Sequence, residues 1–108
     1  MVFKVFREKA DYQGFLENSG SKLMVLCLHA PWCKTCQRVE PEMIKLSNEF
    51  PGVGFLRVDI DSADADDIVE TYMVNVTPTC VLIKDKRQLI RFEGDKVADI
   101  REAIEKNK

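Results

Sequence analysis

The sequence predicts an α/β domain with a central, mostly parallel mixed sheet and helices on both faces, in the order βαβαβαββα. Three observations carry that prediction. Leu23 to Leu28 and Cys80 to Ile83 are continuous apolar runs, the pattern of strands buried on both faces. Between the strand-like runs, apolar residues recur at helical spacing. Strands alternating with helices build parallel sheets through crossover connections. The 108 residues are enough for one domain with one modest core, and residues 1–108 are read as a single unit.

The elements follow in order. Val2 to Phe6 reads as a short first strand. Glu8 to Glu17 is a helix with Tyr12, Phe15 and Leu16 on one face, stopped by Asn18-Ser19-Gly20-Ser21. Leu23 to Leu28 is the second strand. From Cys33 to Phe50, Val39, Met43, Leu46 and Phe50 share a helical face, and Pro41 inside the segment predicts a kink. Pro51-Gly52 ends that helix, and Val53 to Ile60 is the third strand. Ala63 to Tyr72 is a short acidic helix turning Ile68, Val69 and Tyr72 inward. Cys80 to Ile83 is the fourth strand. The polar turn Lys84-Asp85-Lys86-Arg87 leads to Gln88 to Phe92, which pairs back antiparallel. Asp95 to Lys106 closes the chain as a helix burying Val97, Ile100 and Ile104.

Composition narrows the function. With 45% hydrophobic and 31% charged residues, the chain has the make-up of a soluble globular protein. A formal charge of −2 gives no electrostatic basis for a nucleic-acid or anionic-membrane partner. The longest apolar run, Leu23 to Leu28, is too short to span a bilayer. Lys4, Arg7, Glu8 and Lys9 interrupt the first residues, so no signal-peptide core is visible and a cytoplasmic location is expected. In that reducing compartment, closely spaced cysteines are more often catalytic or metal-binding than structural. The acidic run Asp59 to Asp67 lacks the glycine and terminal glutamate of a calcium loop and reads as a solvated helix start.

Cys33 and Cys36 stand two residues apart where a strand gives way to a helix, directly behind Trp32. A cysteine in the first helical turn meets unpaired backbone N–H groups and the positive end of the helix dipole. Both favour a thiolate, so a depressed Cys33 pKa is expected. Cys36 lies one turn on, facing the same side. Taken alone, the pair is a redox dithiol, half of a metal site or a chance pair.

The wider pattern decides among these. Trp32-Cys33-x-x-Cys36, Pro41 five residues after Cys36, Arg57-Val58-Asp59-Ile60-Asp61, Val76-Thr77-Pro78-Thr79, Gly94 and the element order together resemble the thioredoxin family over essentially the whole chain. The resemblance implies the thioredoxin fold and a thiol–disulfide oxidoreductase. Cys33 would be the nucleophile and Cys36 the resolving thiol, the two forming a redox-active disulfide. Trp32 would shield the dithiol and line the substrate-docking surface. Lys34, Thr35, Thr77 and Pro78 would bind substrate, with Thr77-Pro78 in the cis form and Gly94 flanking the groove. The implied partners are protein or glutathione disulfides, recycled by a thioredoxin reductase or the glutathione system, with the chain a monomer and no cofactor.

Three departures from the family pattern qualify this. Lys34-Thr35 replaces the usual Gly-Pro, and a positive charge beside the nucleophile should raise the potential from about −270 mV toward roughly −200 to −230 mV. Cys27 stands where the family keeps a buried Asp as proton relay. Glu40 and Glu42 are near in sequence but are given no part. His29 replaces an aromatic residue and is the candidate relay. Cys27 and Cys80 read as small buried hydrophobes. The departures suggest narrower partners than a typical thioredoxin has. The alternative is an iron–sulfur cluster held between two chains through their Cys33 and Cys36 thiolates.

Overall fold

The computed structural model describes residues 3–18 and 20–108. Its strands are β1 (Phe3–Val5), β2 (Met24–His29), β3 (Gly54–Asp59), β4 (Thr79–Lys84) and β5 (Arg87–Glu93). Its helices are α1 (Lys9–Glu17), α2 (Lys34–Glu49), α3 (Asp66–Thr71) and α4 (Val97–Asn107). Val2 and Ser19, which the sequence places in the first strand and the first helix stop, lie outside the described residues.

The sheet order is β1-β3-β2-β4-β5. β1 and β2 pair parallel with β3, while β4 pairs antiparallel with both β2 and β5. Four of the five strands therefore run the same way, and β4 alone is reversed. This is the mixed sheet that the sequence predicts. β2 is central because Met24 to Leu28 is apolar at every position, so it can be covered on both faces.

Alternation along β2 divides the core in two. Val25 and Cys27 face α2 and α4, packing with Met43, Leu46, Phe55, Leu82 and Ile104. Met24, Leu26 and Leu28 face α1 and α3, packing with Phe15, Val58, Ile68 and Tyr72. On that side the hydroxyls of half-buried Tyr12 and buried Tyr72 meet at 2.6 Å, giving each ring a polar partner.

Several boundaries differ from the sequence reading for local reasons. The acidic helix is split: Ala63–Ala65 is a 3-10 turn, and α3 begins at Asp66. α4 starts at Val97 because Gly94 takes φ +85 and turns the chain, while the Asp95 carboxylate reaches Arg38 on α2 at 3.1 Å. The β4–β5 turn is only two residues, Asp85 and Lys86, with φ of 53 and 63. Positive φ at both positions is the geometry of a tight hairpin whose twist matches its strands. Val69 and Val97 are half-buried rather than core. Pro41 lies inside α2 without ending it.

Leu26 on β2 is fully buried. Leu26→Ala should cost about 2–5 kcal/mol. A urea titration should show this as a lower midpoint with an unchanged slope.

Candidate active site

The site is built at the end of β2. Ile60 N–H donates to the His29 carbonyl at 2.9 Å, carrying the β2–β3 ladder one residue past the strands. The chain then turns through Ala30, Pro31 and Trp32. Cys33 N–H donates to the Ala30 carbonyl at 3.2 Å, and Gln37 Nε2 to the Pro31 carbonyl at 2.8 Å. Both ends of this loop are thus tied to the helix it introduces.

Cys33 is the N-cap of α2, with extended φ and ψ of −83 and 112. Its Sγ accepts from the Cys36 N–H at 3.1 Å. A sulfur fills the role that a Ser or Asp oxygen usually takes, satisfying one of the unpaired amides of the first turn. That role explains the two-residue spacing. It sets the Cys36 amide on the Cys33 sulfur and holds both thiols on one side of the helix start.

The opposite wall is the loop before β4. Thr77-Pro78 is cis. The Thr77 carbonyl lies 3.5 Å from Cys33 Sγ. Gly94 N–H donates to the Pro78 carbonyl at 2.8 Å, and the buried Thr79 hydroxyl donates to the Val76 carbonyl at 2.7 Å. Gly94 therefore braces the loop from behind. A groove of about 440 Å3 runs between the walls, lined among others by Trp32, Cys33, Lys34, Thr35, Val76 and Thr77. Trp32 stands 66% exposed at its rim, its indole N–H fixed on the Asp61 carboxylate at 2.8 Å. The sequence reading did not connect Asp61 with this position.

The two thiols are driven apart in acidity. Burial opposes ionisation of Cys33. Hydrogen bonds with the Cys36 thiol and the Thr77 side chain, and from the backbone amides of Cys36 and Thr35, outweigh it and lower its pKa. Burial, reinforced by the hydrogen bond with Cys33, pushes Cys36 up to about 11. Lys34 is exposed, and its ammonium is not among the main causes of the Cys33 shift.

Behind Cys36 lies a small cavity of about 30 Å3, lined by Cys27, His29, Cys36, Glu40, Arg57, Pro78 and Cys80 among others. It has room for ordered water. Burial, and then the Arg57 charge, lower the His29 pKa. Glu40, set aside in the sequence reading, forms an ion pair with Arg57 across this cavity. The signal for it was available, since Glu40 lies four residues after Cys36 and so on the same helical face. Glu42 is exposed and does not line the cavity.

Among the described residues, no group of three or more His, Cys, Asp or Glu side chains is placed to hold a metal ion. One chain brings two sulfurs to the groove end of α2, fewer than the four that an iron–sulfur cluster takes.

A dithiol at a helix start, facing a cis-proline loop across an open groove, is equipped for disulfide exchange. The chain belongs to the thioredoxin family, whose family model, Thioredoxin, matches residues 3–106. It is 36% identical over 103 residues to a thioredoxin of Geodia cydonium, covering 94% of this chain and 95% of that one. It is 33% identical over 93 residues to a thioredoxin of Oryctolagus cuniculus, covering 86% and 87% of the two chains. The fold superposes on the thioredoxin of Fasciola hepatica with a TM-score of 0.89 and 31% identity, over 97% of this chain and 99% of that one. The protein is a thiol–disulfide oxidoreductase of this family.

The separation of the two thiols can be read by alkylation. In the reduced protein, iodoacetamide should modify Cys33 first. The rate should fall about tenfold per pH unit below a midpoint lying under the ordinary cysteine value, because only the thiolate reacts. Cys36 should follow with a midpoint near 11.

Proposed function

We propose that the chain reduces protein disulfides, with Cys33 as nucleophile and Cys36 as resolving thiol. The observation that carries this is the Cys33 sulfur held at 3.1 Å on the Cys36 amide while it borders the groove. The Cys33 thiolate attacks one substrate sulfur. A Cys33–substrate disulfide forms, the substrate's own S–S bond breaks, and its first thiol leaves with a proton from solvent. Cys36 then attacks Cys33 Sγ, closing the Cys33–Cys36 disulfide and releasing the second substrate thiol. An extended substrate segment can lie along the groove, pairing with the backbone at Thr77 as an added strand would. Lys34, Thr35 and Trp32 flank that path, and Pro78 and Gly94 hold its wall.

With a pKa near 11, Cys36 needs a proton acceptor for the second step. We assign that part to His29, which shares the cavity behind Cys36. Its lowered pKa leaves the imidazole neutral and able to accept at neutral pH. The thiol of Cys27 in place of a buried carboxylate removes the usual relay. This supports a protein with narrower partners than a general thioredoxin. A thioredoxin reductase or the glutathione system would return the dithiol to its reduced form. We place this activity in the cytoplasm, in a monomer.

Cys33→Ser should abolish reduction of insulin disulfides. Cys36→Ser should instead accumulate a covalent substrate adduct, visible by intact mass in the absence of reductant. If Cys36→Ser turned over like the parent protein, the assignment of roles would be wrong.

The His29 assignment has its own measurement. His29→Gln should slow resolution of a preformed Cys33 mixed disulfide by about 100-fold at pH 7, the low end for a general base. Alkylation of Cys33 should be unaffected. Equal resolution rates in the two proteins would remove His29 from the mechanism.

A further inference from the structure

Two cysteines outside the dithiol face each other inside the protein. Cys27 on β2 and Cys80 on β4 are direct antiparallel partners, and both are buried. Their sulfurs are 3.6 Å apart. Directly opposed residues in an antiparallel pair have Cα atoms about 4.5 to 5.5 Å apart, within the range of about 4.4 to 6.8 Å that a disulfide spans. Closing the bond therefore needs side-chain rotation rather than backbone movement. Cys27, Cys80 and Cys36 all line the same small cavity. We propose that Cys27 and Cys80 form a second, internal dithiol–disulfide couple, which receives the oxidising equivalents of the Cys33–Cys36 disulfide through Cys36. This rests on Cys33–Cys36 being the primary redox couple.

The chemistry balances as two exchanges. Cys27, two residues before His29 and so on the same face of β2, passes its proton to the imidazole. Its thiolate attacks Cys36 Sγ. A Cys27–Cys36 bond forms, the Cys33–Cys36 bond breaks, and Cys33 leaves as the thiolate. Cys80 then attacks Cys27 Sγ, its proton going to the departing Cys36. The net change is one disulfide moved inward, with Cys33 and Cys36 both reduced.

The leaving group favours this direction of attack. Cys33 is the more acidic thiol of its pair and hence the better leaving group. The hydrogen bond with Cys80 and then burial push the Cys27 thiol well above the ordinary cysteine range, and the charge of Arg57, in register with it on β3, offsets them only in part. Cys27 is therefore protonated at neutral pH, and its attack needs the proton transfer to His29. The pair is thus inert in the reduced protein. A chain with both couples stores four electrons where a single dithiol stores two.

The test is a thiol count on the full chain. The protein is equilibrated with oxidised glutathione, which is far too large for the cavity. It is then denatured in N-ethylmaleimide and weighed. Loss of all four reactive thiols, with a peptide map linking Cys27 to Cys80, is the expected result. Two maleimide adducts with only Cys33–Cys36 linked would overturn the inference and leave the proposed function intact. Four adducts would remove the primary couple, and both readings with it. The double variant Cys33→Ser, Cys36→Ser keeps the inner pair and lacks the route to it. There the Cys27–Cys80 bond should form at least tenfold more slowly. An equal rate would show that the outer couple does not feed the inner one.

Discussion

The central strand β2 is the constraint on which everything else rests. It is hydrogen-bonded on both edges, to β3 and β4, and packed on both faces. A strand so enclosed cannot slip by one residue without turning every side chain to the wrong layer. Its end is therefore a fixed point. His29, the turn through Trp32 and the first residue of α2 are all positioned from it. The cis-proline loop is fixed in the same frame, because it leads straight into β4, the other neighbour of β2. The two walls of the groove are thus held by adjacent strands of one sheet, and the 3.5 Å approach of Thr77 to the Cys33 sulfur follows from that adjacency.

The thiols of this protein form a gradient from the groove inward. Cys33 caps a helix and collects hydrogen bonds that favour its anion. At Cys36, one turn deeper, burial and the hydrogen bond with Cys33 outweigh such bonds. Cys27 lies deeper still, where burial and Cys80 outweigh the charge of Arg57. The helix-start amides of Thr35 and Cys36 serve the first thiol, while at the second the hydrogen bonds with Ala30 and Thr77 do not offset burial. Acidity is decided here by depth and by hydrogen bonds, those with the Cys36 thiol and the Thr77 side chain first and those from backbone amides after them.

Much of the fold was legible because its signals are local. The unbroken apolar runs at Leu23 to Leu28 and Cys80 to Ile83 identify strands covered on both faces, and the spacing of Val39, Met43, Leu46 and Phe50 identifies the buried face of α2. The boundaries that differed depend on contacts that no short window contains. Asp95 is a plausible helix residue in sequence, yet it lies before α4, with its carboxylate on Arg38 of another helix. In sequence the Asp85-Lys86 turn reads as four residues, because neither residue advertises a positive φ in the way Asn-Gly would. Glu40 has no legible role in sequence, because sequence alone does not show which strand its helix face covers. The structure places it against Arg57 of β3.

By itself, the sequence determined the class of chemistry and where it sits. Two cysteines one helical turn apart, after a buried strand and with Thr77-Pro78 downstream, already specify a dithiol at a strand-to-helix junction. Only the tertiary structure decided what surrounds that dithiol. Residues 27, 29, 36, 40, 57 and 80 come from four separate elements and meet around one small cavity. The physical reason lies in the crossover topology. The chain returns to the two edges of β2 from far along the sequence, setting Arg57 on one side of Cys27 and Cys80 on the other, and no local pattern records which residues will face one another there.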